Sequence, residues 1–475
     1  MASPYVINNF MIYYITAAFL LLYFRWLFRT IASMIKKLLL RGRQFTKSQP
    51  LSVNYGIDGL LTLGAMSIAS NNNNLFAQRL GATDFQLSML QFFPHIITLL
   101  ILIPAGIFTD SLRNKRKMIT LMLLLAGGFF LIVSTSAFMP VHTVYFFLIF
   151  FAMASVSVNG LYNIAWQSFF PEAVHEENRN TVLTFRARMT MLVSLVVPLI
   201  VGGILFAIPT QEGKINAHQI FYVIAALLLI SNVIHFRKIQ AVVPPNPKRI
   251  SLTEMKTAFG RLVRNKPFIV FTLAILFFHM SWHIDWTLFF IGQANYMQMN
   301  ELLLGFSPVV AMLAQLLTLK FWSKGNTKRG VDKSLTFGIF GMLGSPIGMM
   351  LGITLPQPFG IAAFLCFQFI GHLAFANIAL SLFQCLLKVV DHEYRSFFIA
   401  IYTCLMTFSN AIMPVVGVTI YRNLGGDANA LRITFAIVFA MRAVAGVLWL
   451  VRLKYVKSTA DLAGQNTLEE ASVKA

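Results

Sequence analysis

Two carboxylates lie inside long apolar runs of this sequence, and an ionisable group in hydrocarbon costs about 2.5 kcal/mol or more on insertion scales. Each therefore needs a reason to be there. Asp285 sits in FFHMSWHIDWTLFF, where His279, Trp282, His283 and Trp286 follow the spacing i, i+3, i+4, i+7. That spacing puts the four rings on one helical face, which would look into a polar cavity. A carboxyl and an imidazole held there could exchange protons, which is the chemistry that proton coupling requires. The structural alternative is that they hydrogen-bond neighbouring helices and only fix packing, and for each histidine taken alone that is the simpler reading. The other carboxylate, Asp58, lies about two turns into its run. It can be read as an interface residue favoured by the helix dipole, or as one member of an ion pair with Arg186 or Arg188 that breaks during a cycle.

His279 and His283 could also share one metal ion at i, i+4, with Asp285 as a third group. Two residues along, however, Asp285 points to a different side of a helix from His283, and no second histidine box occurs. This argues against an intramembrane metalloenzyme. Cys366, Cys385 and Cys404 all fall inside apolar runs, so they form neither a disulfide framework nor a spaced zinc-ligand set.

Amides form a second set. The first long run after residue 50 carries Asn71, Asn72, Asn73 and Asn74, at a depth expected to match Asp285. Ser155, Asn159, Asn163, Trp166 and Gln167 are spaced mostly by four in another run, and Gln368 and His372 repeat that interval further on. Such stripes on apolar helices serve interhelical hydrogen bonding or line a wet cavity.

The elements that must position these groups are membrane helices. With 57% hydrophobic and 12% charged residues in 475, the chain has too little polar surface to cover a soluble globule. Its mean hydropathy of +0.70 agrees. Twelve runs of about 20 residues, each the length of a bilayer span, begin near Ser52, Phe85, Lys117, His142, Thr181, Gln219, Pro267, Asn300, Lys333, Phe359, Ser396 and Arg432. The net charge of +21 lies at the ends of these runs. With Ser52 inside, the exterior loops carry only Arg79, Lys214, Arg422 and Arg432, so the charge reads as topology and not as a nucleic-acid surface.

Ahead of the twelve, Pro4 to Phe24 is uncharged and is followed by a cation run from Arg25 to Lys47. Residues 1–48 therefore read as an extra N-terminal helix, spanning or interfacial, with a basic amphipathic segment behind it. Residues 49–240 and 267–457 form two bundles of six helices. They are joined by a cytoplasmic linker at 241–266 that holds PPNP, and Ser251 and Glu254 at capping-box spacing. Residues 458–475 read as a flexible cytoplasmic tail.

The two bundles repeat one another. Arg179 precedes Pro198 by the same interval as Arg395 precedes Pro414, and Pro94 and Pro308 each precede a basic loop. The first of these loops follows PHIITLLILIPAGIFTDSLRNKRK, with Gly106 and Asp110 ahead of Arg113, Lys115, Arg116 and Lys117. This pattern resembles the signature loop between the second and third helices of the major facilitator superfamily. The resemblance covers roughly Ser52 to Lys454. It implies an all-α integral membrane protein with two six-helix pseudo-repeats, working by alternating access around a midplane site.

It also implies roles. The loop latches the cytoplasmic gate, giving gating parts to Gly106, Asp110, Arg113, Lys115, Arg116, Arg179 and Arg186. The first, fourth, seventh and tenth helices line the family's cavity, which nominates Asn71, Asn74, Asn159, Asn163, Trp166, Gln167, His279, Trp282, His283, Trp286, Gln368 and His372 for substrate binding. Asp285, His283 and Asp58 are the candidates for proton coupling. The expected protein is not an enzyme and needs no cofactor beyond a proton or ion gradient. It carries a small organic solute, contacts membrane lipids and no nucleic acid, and works as a monomer, with the N-terminal helix free to dock a partner. Its expected place is the plasma or inner membrane of the cell, with a cytoplasmic C-terminus. The competing reading is a sensor or scaffold that kept the fold and lost the cycle.

Overall fold

The computed structural model describes residues 50–70, 72–139, 142–241, 252–391 and 394–473. The expected N-terminal helix and basic segment (residues 1–48), Asn71, and the PPNP and Ser251 portion of the linker lie outside the described residues.

Helix is the only regular structure among the described residues. The long helices are α1 (Pro50–Ser70), α2 (Asp84–Ser111), α3 (Lys115–Phe138), α4 (Thr143–Ala173), α5 (Glu176–Ala207) and α6 (Gln211–Phe236), then α7 (Lys266–Tyr296), α8 (Glu301–Arg329), α9 (Val331–Thr354), α10 (Phe359–Val389), α11 (Arg395–Asn423) and α12 (Ala428–Val473). Eleven of them, α2 to α12, contain stretches long and apolar enough to cross a membrane. The remaining helix, α1, has 21 residues but is more polar, and it buries Asp58, Thr62 and Ser67 against its neighbours.

Local chemistry sets the helix ends. Before α2 the Thr83 hydroxyl accepts from the Gln86 amide while the Gln86 side chain accepts from the Thr83 N–H, a closed capping box. The Asn300 side chain accepts from Leu303 N and starts α8. Two boundaries differ from expectation. α6 begins at Gln211, eight residues before Gln219, because Thr210 caps it and its first turns can carry Glu212 and Lys214 at the membrane edge. α12 continues as helix to Val473, so the stretch after Ser458 extends the last helix instead of forming a separate coil.

Packing repeats with a period of six helices. α1 packs on α5 and α6, as α7 packs on α11 and α12, and α3 packs on α6 as α9 packs on α12. Between the halves the pairs are α5 with α8 and α11 with α2, again related by six. One half holds a large aromatic core around Phe76, Phe130, Phe147, Tyr162 and Tyr222, and the other a core around Phe268, Phe271, Phe278 and Trp449.

Three helices are interrupted. α4 passes through a π-turn at Val156–Tyr162. α7 stops at His283, turns through Ile284 and Asp285, and resumes at Trp286. α9 turns at Met342 and Leu343. At that turn Pro346 has no N–H to return to the Met342 carbonyl four residues back, so this carbonyl needs another donor inside the membrane. Gly417 of α11 lies against the α7 turn, where a Cβ would come within 2.0 Å of the Ile284 carbonyl oxygen. Only glycine lets α11 approach that close.

Candidate transport site

Each half buries one aspartate that is paired with an arginine. In the first half Asp58 of α1 is fully buried and accepts from Tyr162 Oη at 2.6 Å, Asn232 Nδ2 at 2.9 Å and Trp166 Nε1 at 3.1 Å. Arg186 of α5 completes the set, with Nε 3.4 Å from the carboxylate and its guanidinium 4.4 Å above the Trp166 ring. The absence of a side chain at Gly59 makes room, since a Cβ there would lie 2.7 Å from Arg186 Cγ. Arg188, the other possible partner, is exposed. Asp58 is thus tied to three other helices and is not an interface residue. Asn232→Leu, which also removes the bond to Thr62, is expected to cost about 1.5–3 kcal/mol, read as a lower unfolding midpoint of the purified protein. An unchanged midpoint would mean that the other three donors suffice.

In the second half Asp285 stands at the turn of α7, fully buried, and its Oδ2 accepts from Arg442 Nη2 of α12 at 2.6 Å. Its Oδ1 has no hydrogen-bond partner among the described residues. Arg442 also donates Nε to the Ser281 carbonyl at 3.2 Å and Nη1 to the Met342 carbonyl at 2.8 Å. One guanidinium therefore satisfies both the carbonyl orphaned by Pro346 in α9 and a carbonyl at the break in α7, while neutralising the carboxylate beside it. The sequence does not nominate this residue by motif. The available signal is a cation well inside the last span, subject to the same cost argument that singles out Asp285.

The expected ring cluster does assemble. His279 Nδ1 and His283 Nε2 are 3.3 Å apart, and His283 Nδ1 is 3.0 Å from Ser409 Oγ of α11. Trp282 lies against His283, Trp286 and Phe375 of α10, the last of which in turn touches His372. His372 Nδ1 bonds the Gln368 carbonyl. On α4, Asn159 and Gln167 are exposed and Asn163 is half-buried, so this stripe faces open space, whereas Trp166 points the other way into the Asp58 cluster. Asn74 belongs to a short helix, Asn73–Arg79, that begins after α1 and ends at the contact of Arg79 with Glu301.

At that end the halves are joined. Glu301 of α8 accepts from Arg79 Nη2 at 2.6 Å and from Lys214 Nζ of α6 at 2.5 Å, and Gln78 donates to Asn295 of α7 at 2.7 Å. Beside them the backbones of α5 and α8 touch, because a Cβ on Gly305 would come within 2.4 Å of the Pro198 carbonyl oxygen and one on Gly202 within 2.7 Å of that of Glu301.

At the opposite end, the contacts of the two basic loops that follow each stay within one half. Lys115 pairs with Glu172 at 2.6 Å, and Arg116 donates to the carbonyls of Arg237 and Ile239. Arg179 donates to the carbonyls of Val174 and Pro171. Arg113 is exposed, Gly106 faces open space where a Cβ would meet nothing, and Asp110 lies in the last turns of α2. In the second loop Asp332 takes Lys388 at 2.7 Å and Arg452 at 2.5 Å.

Residues 57–388 match the sequence profile of the Major Facilitator Superfamily. The chain belongs to that superfamily. Solved structures with the same fold include the nucleoside transporter NupG, 13% identical, covering 85% of this chain and 99% of that one with a TM-score of 0.65. A bacterial homologue of the iron transporter ferroportin in its inward-facing state is 12% identical over 84% and 98% of the two chains, with a TM-score of 0.67. The D-xylose-proton symporter is 14% identical over 84% and 96%, with a TM-score of 0.61. No curated protein matches the chain closely enough to count as a relative. As a superfamily member the chain is a multi-pass secondary transporter and not an enzyme.

Proposed function

We propose that this superfamily member couples proton movement to the transport of a small, polar, neutral or zwitterionic organic solute. The contrast between its two buried aspartates carries the reading. Asp58 is surrounded by four donors, and protonating it would weaken four charge-assisted contacts at once. Asp285 has one ion-pair partner and a free oxygen. If Asp285 takes a proton, Arg442 still holds the Ser281 and Met342 carbonyls, so the pair can open without stranding the guanidinium.

The amides of α4, the indoles of α7, and Gln368 and His372 of α10 supply hydrogen bonds and apolar faces for an organic solute. Two fold neighbours carry such molecules, a nucleoside transporter and a sugar-proton symporter, which supports the class. The fold neighbours also include a metal transporter, but the described residues contain no group of three or more metal-ligating side chains.

In the proposed cycle, protonation releases Asp285 from Arg442 and frees the part of α7 that follows it, residues 286–296. That segment carries Asn295 to the Glu301 clasp, so its movement loosens the clasp. The distribution of Lys and Arg supports a clasp outside and Asp110 inside, in the plasma or inner membrane, and the present conformation is then open inward.

The test is pH-gradient-driven uptake and efflux in proteoliposomes, screening a broad solute library against the intact chain and Asp285→Asn. A solute that moves under the gradient with the intact chain, and still binds the variant without gradient-driven accumulation, is the expected result. Gradient-driven transport that survives in the variant would assign coupling elsewhere, and no transport by either folded protein would favour the sensor or scaffold.

A further inference from the structure

Outside the transport site, a cavity of about 610 Å³ opens at the far end of α8, α9 and α12 from the Glu301 clasp. Gly330, with φ +81°, turns the chain sharply from α8 into α9. That turn brings Lys328 and Arg329 from the last turn of α8 beside Lys333 from the first turn of α9. All three are exposed, and none takes an ion-pair partner among the described residues. The neighbouring carboxylate, Asp332, is already occupied by Lys388 and Arg452.

Below the cations the wall becomes apolar, formed by Phe337, Leu450 and Leu453. The Arg329 guanidinium stands 5.7 Å from the Phe337 ring, which marks the boundary between charge and hydrocarbon. Thr336 also lines the cavity, and its shielded Oγ1 has no hydrogen-bond partner. The outward face of α12 continues the apolar strip through Val451, Val447 and Val444, each about half exposed. Three unneutralised cations above a strip of exposed aliphatic side chains match a molecule with an anionic head and long acyl chains, and not a soluble anion or an acidic peptide.

We propose that this cleft binds an anionic phospholipid, its phosphate held by Lys328, Arg329 and Lys333 and its acyl chains lying on Phe337, Leu450 and the outward face of α12. The lipid then ties the α8–α9 turn to α12. This site is independent of the transported solute and of Asp285.

Lipid titration of the detergent-purified full chain, read by native mass spectrometry, tests the proposal with dioleoyl phosphatidylglycerol and dioleoyl phosphatidylcholine as probes. The intact chain is expected to bind phosphatidylglycerol preferentially. Lys328→Gln/Arg329→Gln/Lys333→Gln is expected to lose that affinity at least about tenfold, as removal of several surface cations should, with phosphatidylcholine binding unchanged. Lys256→Gln/Arg264→Gln, two exposed cations of the linker helix Leu252–Arg264 that do not line the cleft, should have no effect. Leu450→Trp fills the groove without altering charge and should also weaken phosphatidylglycerol, which keeps the test intact if the triple variant folds poorly. Equal binding of the two lipids, or full phosphatidylglycerol affinity in both the triple variant and Leu450→Trp, would overturn the site. Complete displacement by excess inorganic phosphate would identify a free-anion site and overturn the lipid.

Discussion

Arg442→Met is expected to lower stability by about 3–5 kcal/mol, the usual cost of stranding one member of a buried ion pair. The reason is threefold. Asp285 loses its only ion-pair partner at a position with no exposure, the Met342 carbonyl loses the donor that replaces the missing N–H of Pro346, and the Ser281 carbonyl at the α7 break loses its third-party donor. Arg442→Lys keeps the charge but has a single donor head in place of a planar fork, so it should recover only part of the loss. Adding Asp285→Asn to Arg442→Met removes the stranded charge and should restore part of the midpoint, the remaining loss being that of the Ser281 and Met342 carbonyls, which still lack their donor. Thermal unfolding of the four purified proteins measures this. If the double variant is stable but accumulates no solute under a pH gradient, the pair couples as well as packs. If Arg442→Met unfolds at the same temperature as the intact chain, the pair does not hold α7 to α12 and the proposed cycle loses its switch.

The architecture was legible because apolar run length and cation placement are one-dimensional properties. Span starts such as Phe85, Pro267 and Phe359 fall within a residue or two of the observed helices. Gln219 was legible only as the start of the apolar part of α6, since a helix that begins at the membrane edge can carry Glu212 and Lys214 in its first turns without any hydropathy signal. Those hidden turns are what bring Lys214 to Glu301.

At the site, the sequence singles out Asp58 and Asp285 by cost, and names Arg186 as one of two possible partners for the first. It cannot give the partners that arrive from distant helices. Tyr162 and Asn232 reach Asp58 from 104 and 174 residues away, and Arg442 reaches Asp285 from 157. Trp166 shows the same limit from the other side. Its spacing places it with the amide stripe, but it stands about 100° around the helix from its neighbour Gln167, and its indole N–H goes to Asp58.

Glu301→Gln is expected to open the clasped end. Glu301 joins the halves there by holding two cations from two different helices of the other half. Without its charge, Arg79 and Lys214 lose their shared partner and are left as like charges near each other. Two charge-assisted bonds at about 1.5–3 kcal/mol each exceed what the neutral Gln78–Asn295 bond can supply, so a net change of about 3 kcal/mol, or roughly a hundredfold in the ratio of open to closed, is expected. Labelling of a cysteine at Ala294, which lines the cavity of about 420 Å³ beside the clasp, reads the change from the exterior once Cys366 and Cys404 are replaced by serine. The labelling rate should rise steeply in Glu301→Gln and little in Gln78→Ala. Gly305→Ala separates charge from packing, since its Cβ would wedge α8 away from Pro198 without touching an ion pair. If Gly305→Ala opens the end and Glu301→Gln does not, contact between α5 and α8 is the gate and the ion pairs merely decorate it. If Glu301→Gln alone opens it, the gate is electrostatic, and movement of α7 at Asp285 can reach it through Asn295.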